Sequence, residues 1–166
     1  MRWLILYCVL SVGCAETPQS KSLCAGRECY RVGDLGTDWR AIASRGGQIG
    51  YFNSLVGGVI QGNVTCRDDA ADVSLGNLTD HLLIGYTERR VRSTALLPFA
   101  RREALRTVVE AKLDGVPLVL DLYVMKRNGC IFDLSFAAPP DGYEHGLPDF
   151  RRFVDGFLDT TRASKS

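Results

Sequence analysis

Six cysteines and two histidines carry most of the reactive chemistry available to this chain of 166 residues. Cys14 stands apart from the rest because of what precedes it. Arg2 is followed by an apolar run from Trp3 to Val12, then by Gly13. A run of ten residues, apolar but for Ser11, falls well short of the roughly 20 that a membrane-spanning helix needs, so it reads as the core of an export signal. A cysteine directly after a small residue at the end of such a signal is a substrate for thiol lipidation, after which it becomes the mature N-terminus. The stretch Leu10-Ser11-Val12-Gly13-Cys14 is a relaxed form of a bacterial lipobox. The alternative is an ordinary signal peptide cut after Ala15, which would discard Cys14 and release a secreted protein.

The other cysteines of the mature chain are Cys24, Cys29, Cys66 and Cys130. An even number in an exported protein points to disulfides, and four cysteines permit three pairings. Cys24–Cys29 and Cys66–Cys130 are the favoured pairs, the second closing a loop of 64 residues. Loop-closure entropy assigns such a bridge roughly 4 kcal/mol. A metal site using Cys24 and Cys29 with His81 or His145 is the rival. The paired CxxC spacing of a zinc module is absent, so no metal and no cofactor is expected.

Nucleophile and phosphate motifs are missing: there is no G-x-S-x-G, H-E-x-x-H, P-loop or dinucleotide-binding glycine pattern. His81 beside Asp80, with Asp72 nearby, has no readable nucleophile and is expected on a helix surface. Asp68, Asp69 and Asp72 lack the spacing of a calcium loop and read as solvated acids. His145 falls in the stretch Pro139–Gly146, expected to be a polar loop. This is the place where a small-ligand or hydrolytic site would be sought if the protein were an enzyme. Asn63 and Asn77 match glycosylation acceptors, which would matter only in a eukaryotic source.

Charge narrows the partners. The formal net charge is +1, and removing residues 1–13 takes away Arg2 alone, leaving about zero. The chain is therefore not a polycation built for nucleic acid. The densest run of charge is Arg89, Arg90, Arg92, Arg101, Arg102 and Arg106, a possible patch for an acidic partner if the intervening strand folds back. Glu88, Glu103 and Glu110 are interleaved with it, which favours a solvated, internally paired surface.

These residues need a scaffold, and the second half of the chain specifies it most clearly. Leu105, Thr107, Val109, Ala111 and Leu113 alternate with polar neighbours at the period of a half-buried strand. Asp114-Gly115 and Asn128-Gly129 are hairpin turns, and Leu118–Val124 and Cys130–Phe136 supply the returning strands. Upstream, short strands are expected at Tyr30–Val32 and Trp39–Ile42, and a hairpin joins Ile49–Asn53 to Val59–Cys66. Ser74 should cap a helix carrying Leu75, Leu78, Leu82 and Tyr86 on one side, and another strand is expected at Ser93–Ala100. Pro148 opens a final helix with Phe150, Phe153, Val154 and Phe157 on one stripe.

The class is α+β: one antiparallel sheet flanked by helices, in a single domain. With 46% hydrophobic and 23% charged residues, the chain is globular. The expected organisation is a signal peptide at 1–13, a lipid-anchored tether at 14–23, a domain at 24–160 and a frayed tail at 161–166. The succession 104–120, 121–140 and 147–158 resembles the PsbP/Mog-type superfamily. The resemblance rests on Phe132, Leu134 and Phe136, then Pro139, then Phe153 and Phe157. It spans roughly Cys29–Leu158 and implies an α/β/α sandwich. Members of that superfamily do different things, so it implies no activity. The function expected is a non-catalytic binding or assembly role in a bacterial cell envelope. The partners expected are a membrane, through the lipid anchor, and an envelope protein.

Overall fold

The structure is a computed structural model that describes residues 22–25, 28–42 and 47–163. The signal segment 1–13, Cys14, most of the tether and the last three residues lie outside it.

The expected meander is present, and it is longer than the turn residues announce. β6 (Thr87–Phe99), β7 (Arg102–Leu113), β8 (Val116–Arg127) and β9 (Cys130–Ala138) follow one another as antiparallel neighbours. Asp114-Gly115 and Asn128-Gly129 turn two of the corners with positive φ at both positions, the geometry that matches strand twist. The third corner, Ala100-Arg101, does the same with φ of 48° and 63°. Neither residue favours that region, which is why β6 reads from the sequence as an isolated strand rather than as the first of four.

Before the meander come β1 (Ser22–Ala25) and β2 (Glu28–Arg31), a small separate hairpin. They are followed by β3 (Arg40–Ile42), β4 (Gln48–Asn53) and β5 (Gly58–Cys66). The main sheet has seven strands in the order β3-β4-β5-β9-β8-β7-β6, with β9 returning beside β5. Cys66 and Cys130 stand opposite each other in that pairing and form a disulfide. Register likewise sets Cys24 opposite Cys29 across β1 and β2; their side chains lie outside the described set. Leu23 is fully buried, with its Cδ1 beside Gly62, so the domain begins inside the stretch expected to be tether.

Two helices lie on opposite faces of the sheet, completing an α/β/α sandwich. α1 (Leu75–Leu82) starts as expected: Ser74 accepts a hydrogen bond from the Asn77 N–H at 3.1 Å. It is short, ending before Tyr86. α2 (Pro140–Ala163) corrects two expectations. The stretch Pro139–Gly146 is not a loop, and the tail is helical up to Ala163. Pro140 occupies the first helical position, where its missing N–H is not needed, and the Gly142 and Tyr143 N–H groups both reach the Pro139 carbonyl at 3.0 Å. Tyr143 and Leu147 extend the buried stripe of Phe150, Phe153 and Phe157 by two turns. Pro148 inside the helix costs one i→i−4 hydrogen bond and crowds the Glu144 carbonyl.

α2 seats against β8, β9 and the β2–β3 connection through a layer of rings. Phe132, Phe136, Phe150, Phe153 and Phe157 are all fully buried. Phe136 stacks on Tyr143 with ring centroids 5.6 Å apart, and Phe99 on Phe157 at 5.4 Å. At its far end the helix backbone touches another backbone. A Cβ on Gly156 would lie 2.1 Å from Gly33 Cα, and the Gly33 N–H donates to the Phe153 carbonyl at 3.0 Å.

This contact yields a prediction of sign. In an exposed helix, Gly→Ala stabilises by about 1 kcal/mol. Gly156→Ala should instead destabilise by about 1–3 kcal/mol, because the overlap with Gly33 forces the helix off the sheet. Urea denaturation would check it; a stabilised variant would mean that the helix end is not seated there.

Candidate functional site

The two faces of the sheet are covered unequally. α2 runs the length of one face, whereas the eight residues of α1 cover only part of the other. On the α1 side Ala70 and Leu78 pack on Val124 and Ile131, and Leu83 packs with Val109, Ala111, Leu120 and Leu122. Beyond them the sheet lies open.

Register builds the open part in rows. Asn63, Asp133 and Val124 lie side by side across β5, β9 and β8. Gln61, Ser135 and Leu122 form the next row, and Val59, Ala137 and Leu120 the third. Asp133 of the first row and all of the other two rows floor a trough of about 320 Å³ whose walls include Leu82, Tyr86, Leu113 and Leu118. A second hollow of about 210 Å³ reaches toward Ile42 and Gln48, and the two share Gln61 and Asp133. The trough is thus apolar at its β8 end and polar where it meets β5. Tyr86 also borders an open hollow with Asp80, His81, Ile84, Arg89 and Val91.

Asp133 is the charged group of the trough. Its Oδ2 accepts a hydrogen bond from Asn63 Nδ2 at 3.1 Å. Burial pushes its carboxyl up to about 6 from an ordinary 3.8, against the opposing effect of that hydrogen bond. A desolvated acid in a concave, partly apolar site marks a candidate for binding.

The exposed apolar residues point to the same side. The large ones among the described residues are Ile42, Leu55, Ile84, Val91, Leu96, Leu113 and Val116. Ile42, Ile84, Val91 and Leu113 line the trough or its neighbouring hollows. Val116 pairs with Leu113, and Leu96 with Leu105, which places both on that face as well. Only Leu55, at the β4–β5 turn, is not part of it.

The arginines that could have formed one patch are divided. Arg90 and Arg92 lie on the α2 side, where their Nε atoms both donate to Glu110 at 2.7 Å. These two bonds, Arg92's the stronger, hold the Glu110 carboxyl below its usual range. Arg106 is on that face too, but it serves the interior: its Nε and Nη2 grip buried Asp121 at 3.0 and 2.7 Å. The Tyr143 hydroxyl donates to the same carboxylate at 3.0 Å, and burial pushes its own pKa up, with the Asp121 charge adding to the effect. Arg89 borders the α1-side hollow instead. Arg101 and Arg102 sit at the β6–β7 turn, nine residues along from Arg92, or about 30 Å of strand. Strand alternation and hairpin length separate what adjacency in the sequence suggested.

His145 lies in the first turns of α2, exposed, with its Nδ1 2.9 Å from the Asp141 carbonyl oxygen. His81 and Asp80 are exposed at the end of α1, and Asp68 and Asp72 on the turn before it. Among the described residues no group of three or more His, Cys, Asp or Glu side chains converges as metal ligands would. Asp133 and Gln61 gave no sequence signal as site residues: each is one polar position in an alternating strand. Only pairing of β5 with β9, remote in sequence, brings them together.

No protein-family model matches this sequence, and no curated protein does. Solved structures do. One from Bacteroides thetaiotaomicron aligns over 78% of this chain at 14% identity with a TM-score of 0.52. The likeness is one of fold. This chain spans 43% of the length of that protein. LpqN of Mycobacterium tuberculosis, which is involved in cell envelope biogenesis, aligns over 74% of this chain and 78% of its own, at 16% identity and a TM-score of 0.49. Cyanobacterial PsbP from Synechocystis aligns over 87% and 95%, at 8% identity and 0.47.

Asp133 makes stability depend on pH in a stated direction. Its folded-state pKa is raised, so its contribution is most favourable below about pH 4, where both states are protonated, and falls as pH rises to about 6. Asp133→Asn keeps an acceptor for Asn63 and removes the charge. The variant should be more stable than the parent by up to about 3 kcal/mol at pH 7.5 and nearly equal to it at pH 3.5. Urea midpoints at the two pH values measure this; a gap that does not change with pH would show an undisturbed carboxyl.

Proposed function

We propose that this chain is an exported, membrane-tethered, non-catalytic domain of a bacterial cell envelope that docks a protein partner on the α1 side of its sheet. The observation that carries this reading is the segregation of exposed apolar residues. Six of the seven large ones, all but Leu55, belong to one face. Isolated surface hydrophobes are ordinary, but a set gathered on one face around a concave trough is characteristic of interaction sites. The sequence supplies the address: Arg2, the apolar run to Val12, and Cys14 after Gly13. The Cys66–Cys130 bridge is in keeping with an oxidising compartment outside the cytoplasm.

The alternative, an enzyme centred on His145, has no comparable support. Its expected loop is the start of α2, and the ring's one hydrogen bond is to a backbone carbonyl.

Two measurements test the proposal. Cys14→Ser should move the protein from the membrane to the soluble fraction, and the parent should carry a lipid-sized mass increment on its first residue. A photo-crosslinking residue at Val91 or Val116 should yield a discrete adduct in intact cells, whereas one at Glu144 or Arg151 on exposed α2 should not. Adducts from α2 alone would move the docking surface to the other face.

A further inference from the structure

Asp133 uses only part of its hydrogen-bonding capacity. Asn63, its cross-strand neighbour, bonds Oδ2; Oδ1 has no partner among the described residues. The side chains of Gln61 and Ser135 in the next row are likewise without a hydrogen-bond partner there. Three side chains with acceptor oxygens therefore line the trough in adjacent rows, Asp133 and Gln61 where the two hollows meet, and among the described residues Asp133 is the one charged residue lining either hollow. A partner that covers this trough strips the remaining water from a carboxylate. An uncharged cover forces the carboxyl to take up a proton and an acidic one adds repulsion, so a positively charged group is the complement that leaves it ionised.

The shape selects among cations. A planar arginine fork delivers its paired donors to the two oxygens of one carboxylate, whereas here the acceptors are spread over Asp133, Gln61 and Ser135. A lysine ammonium is a compact head with three donors on a flexible four-carbon stem. The apolar end of the trough, at Leu118, Leu120 and Ala137, suits such a stem lying along it.

We infer that the trough is the anchor pocket of the docking face and receives a lysine side chain of the partner, its ammonium meeting Asp133 Oδ1, Gln61 and Ser135. The inference rests on the docking reading above. A protein is favoured over a small free amine because the exposed apolar residues run from Ile42 at one edge of the sheet to Val91 at the other. That is a width of about 30 Å, which no small amine would cover.

The test uses the mature protein and three capped pentapeptides: Leu-Leu-Lys-Leu-Leu, the same with Glu at the centre, and the same with norleucine. Calorimetry gives affinities, and the NMR signal of the Asn63 side-chain amide reports the site. The lysine peptide should bind about tenfold more tightly than the norleucine peptide and shift the Asn63 signal. The glutamate peptide should be the weakest. Asp133→Asn should abolish the preference for lysine while leaving the norleucine affinity within about twofold, and Arg89→Ala should change nothing.

Equal binding of the lysine and norleucine peptides overturns the lysine pocket and leaves the apolar docking face in place. Binding of octylamine without any peptide would make the ligand a small amine, overturning the assignment to a protein. If no probe binds while the crosslinks at Val91 and Val116 persist, the pocket fails and the docking face stands. If the crosslinks are absent too, both fail.

Discussion

Everything in this fold depends on β5 pairing with β9. Seventy residues separate Asn63 from Asp133, yet the two stand side by side, as do Ile60 with Phe136 and Val64 with Phe132. The ladder joins a three-stranded sheet to a four-stranded meander. In doing so it creates two continuous faces at once: an aromatic one that receives α2 and a mixed one only partly covered by α1. A slip of one residue would exchange the faces, turning Phe132, Leu134 and Phe136 toward the trough and Asp133 and Ser135 into the core. The disulfide at Cys66 and Cys130 sits in register at the end of this ladder and excludes such a slip covalently.

The same sheet holds two withdrawn aspartates, and their treatment differs by face. Asp121 is completely buried under α2, and Arg106 and Tyr143 occupy both of its oxygens. It acts as a fastener between the meander and the first turn of the helix. Asp133, on the opposite face, has one amide for company. A buried pair is strongly destabilised when one partner is removed, so Asp121 belongs to the folded state itself. Asp133 carries a cost of burial offset by one amide alone, which marks it as a candidate for contact beyond its own chain.

Legibility in the sequence followed the range of the interactions. Alternation is local and turns at Asp-Gly or Asn-Gly are dipeptides, so β7 to β9 could be read directly. Ser74 as a cap and the spaced phenylalanines of α2 are equally local. The β6–β7 hairpin was hidden because Ala100-Arg101 does not look like a turn. The first two turns of α2 were hidden because Pro139-Pro140-Asp141-Gly142 does. There, burial of Tyr143 and Leu147 against the sheet outweighs the poor helix propensity of two glycines and a proline. The α/β/α arrangement was legible because it too is a pattern of strands and ring positions. The trough was not, since its rows take one residue from each of three strands and exist only after long-range pairing.

The Cys66–Cys130 bridge closes a covalent ring that contains α1 and β6 to β8 and leaves β1 to β4 and α2 outside. The exposed tip at Asp114-Gly115 lies within that ring, at the kind of site where proteases cut. A single nick there would yield two polypeptides still joined through sulfur, with every strand retained and only one turn lost. Such a molecule could outlast its own hydrolysis.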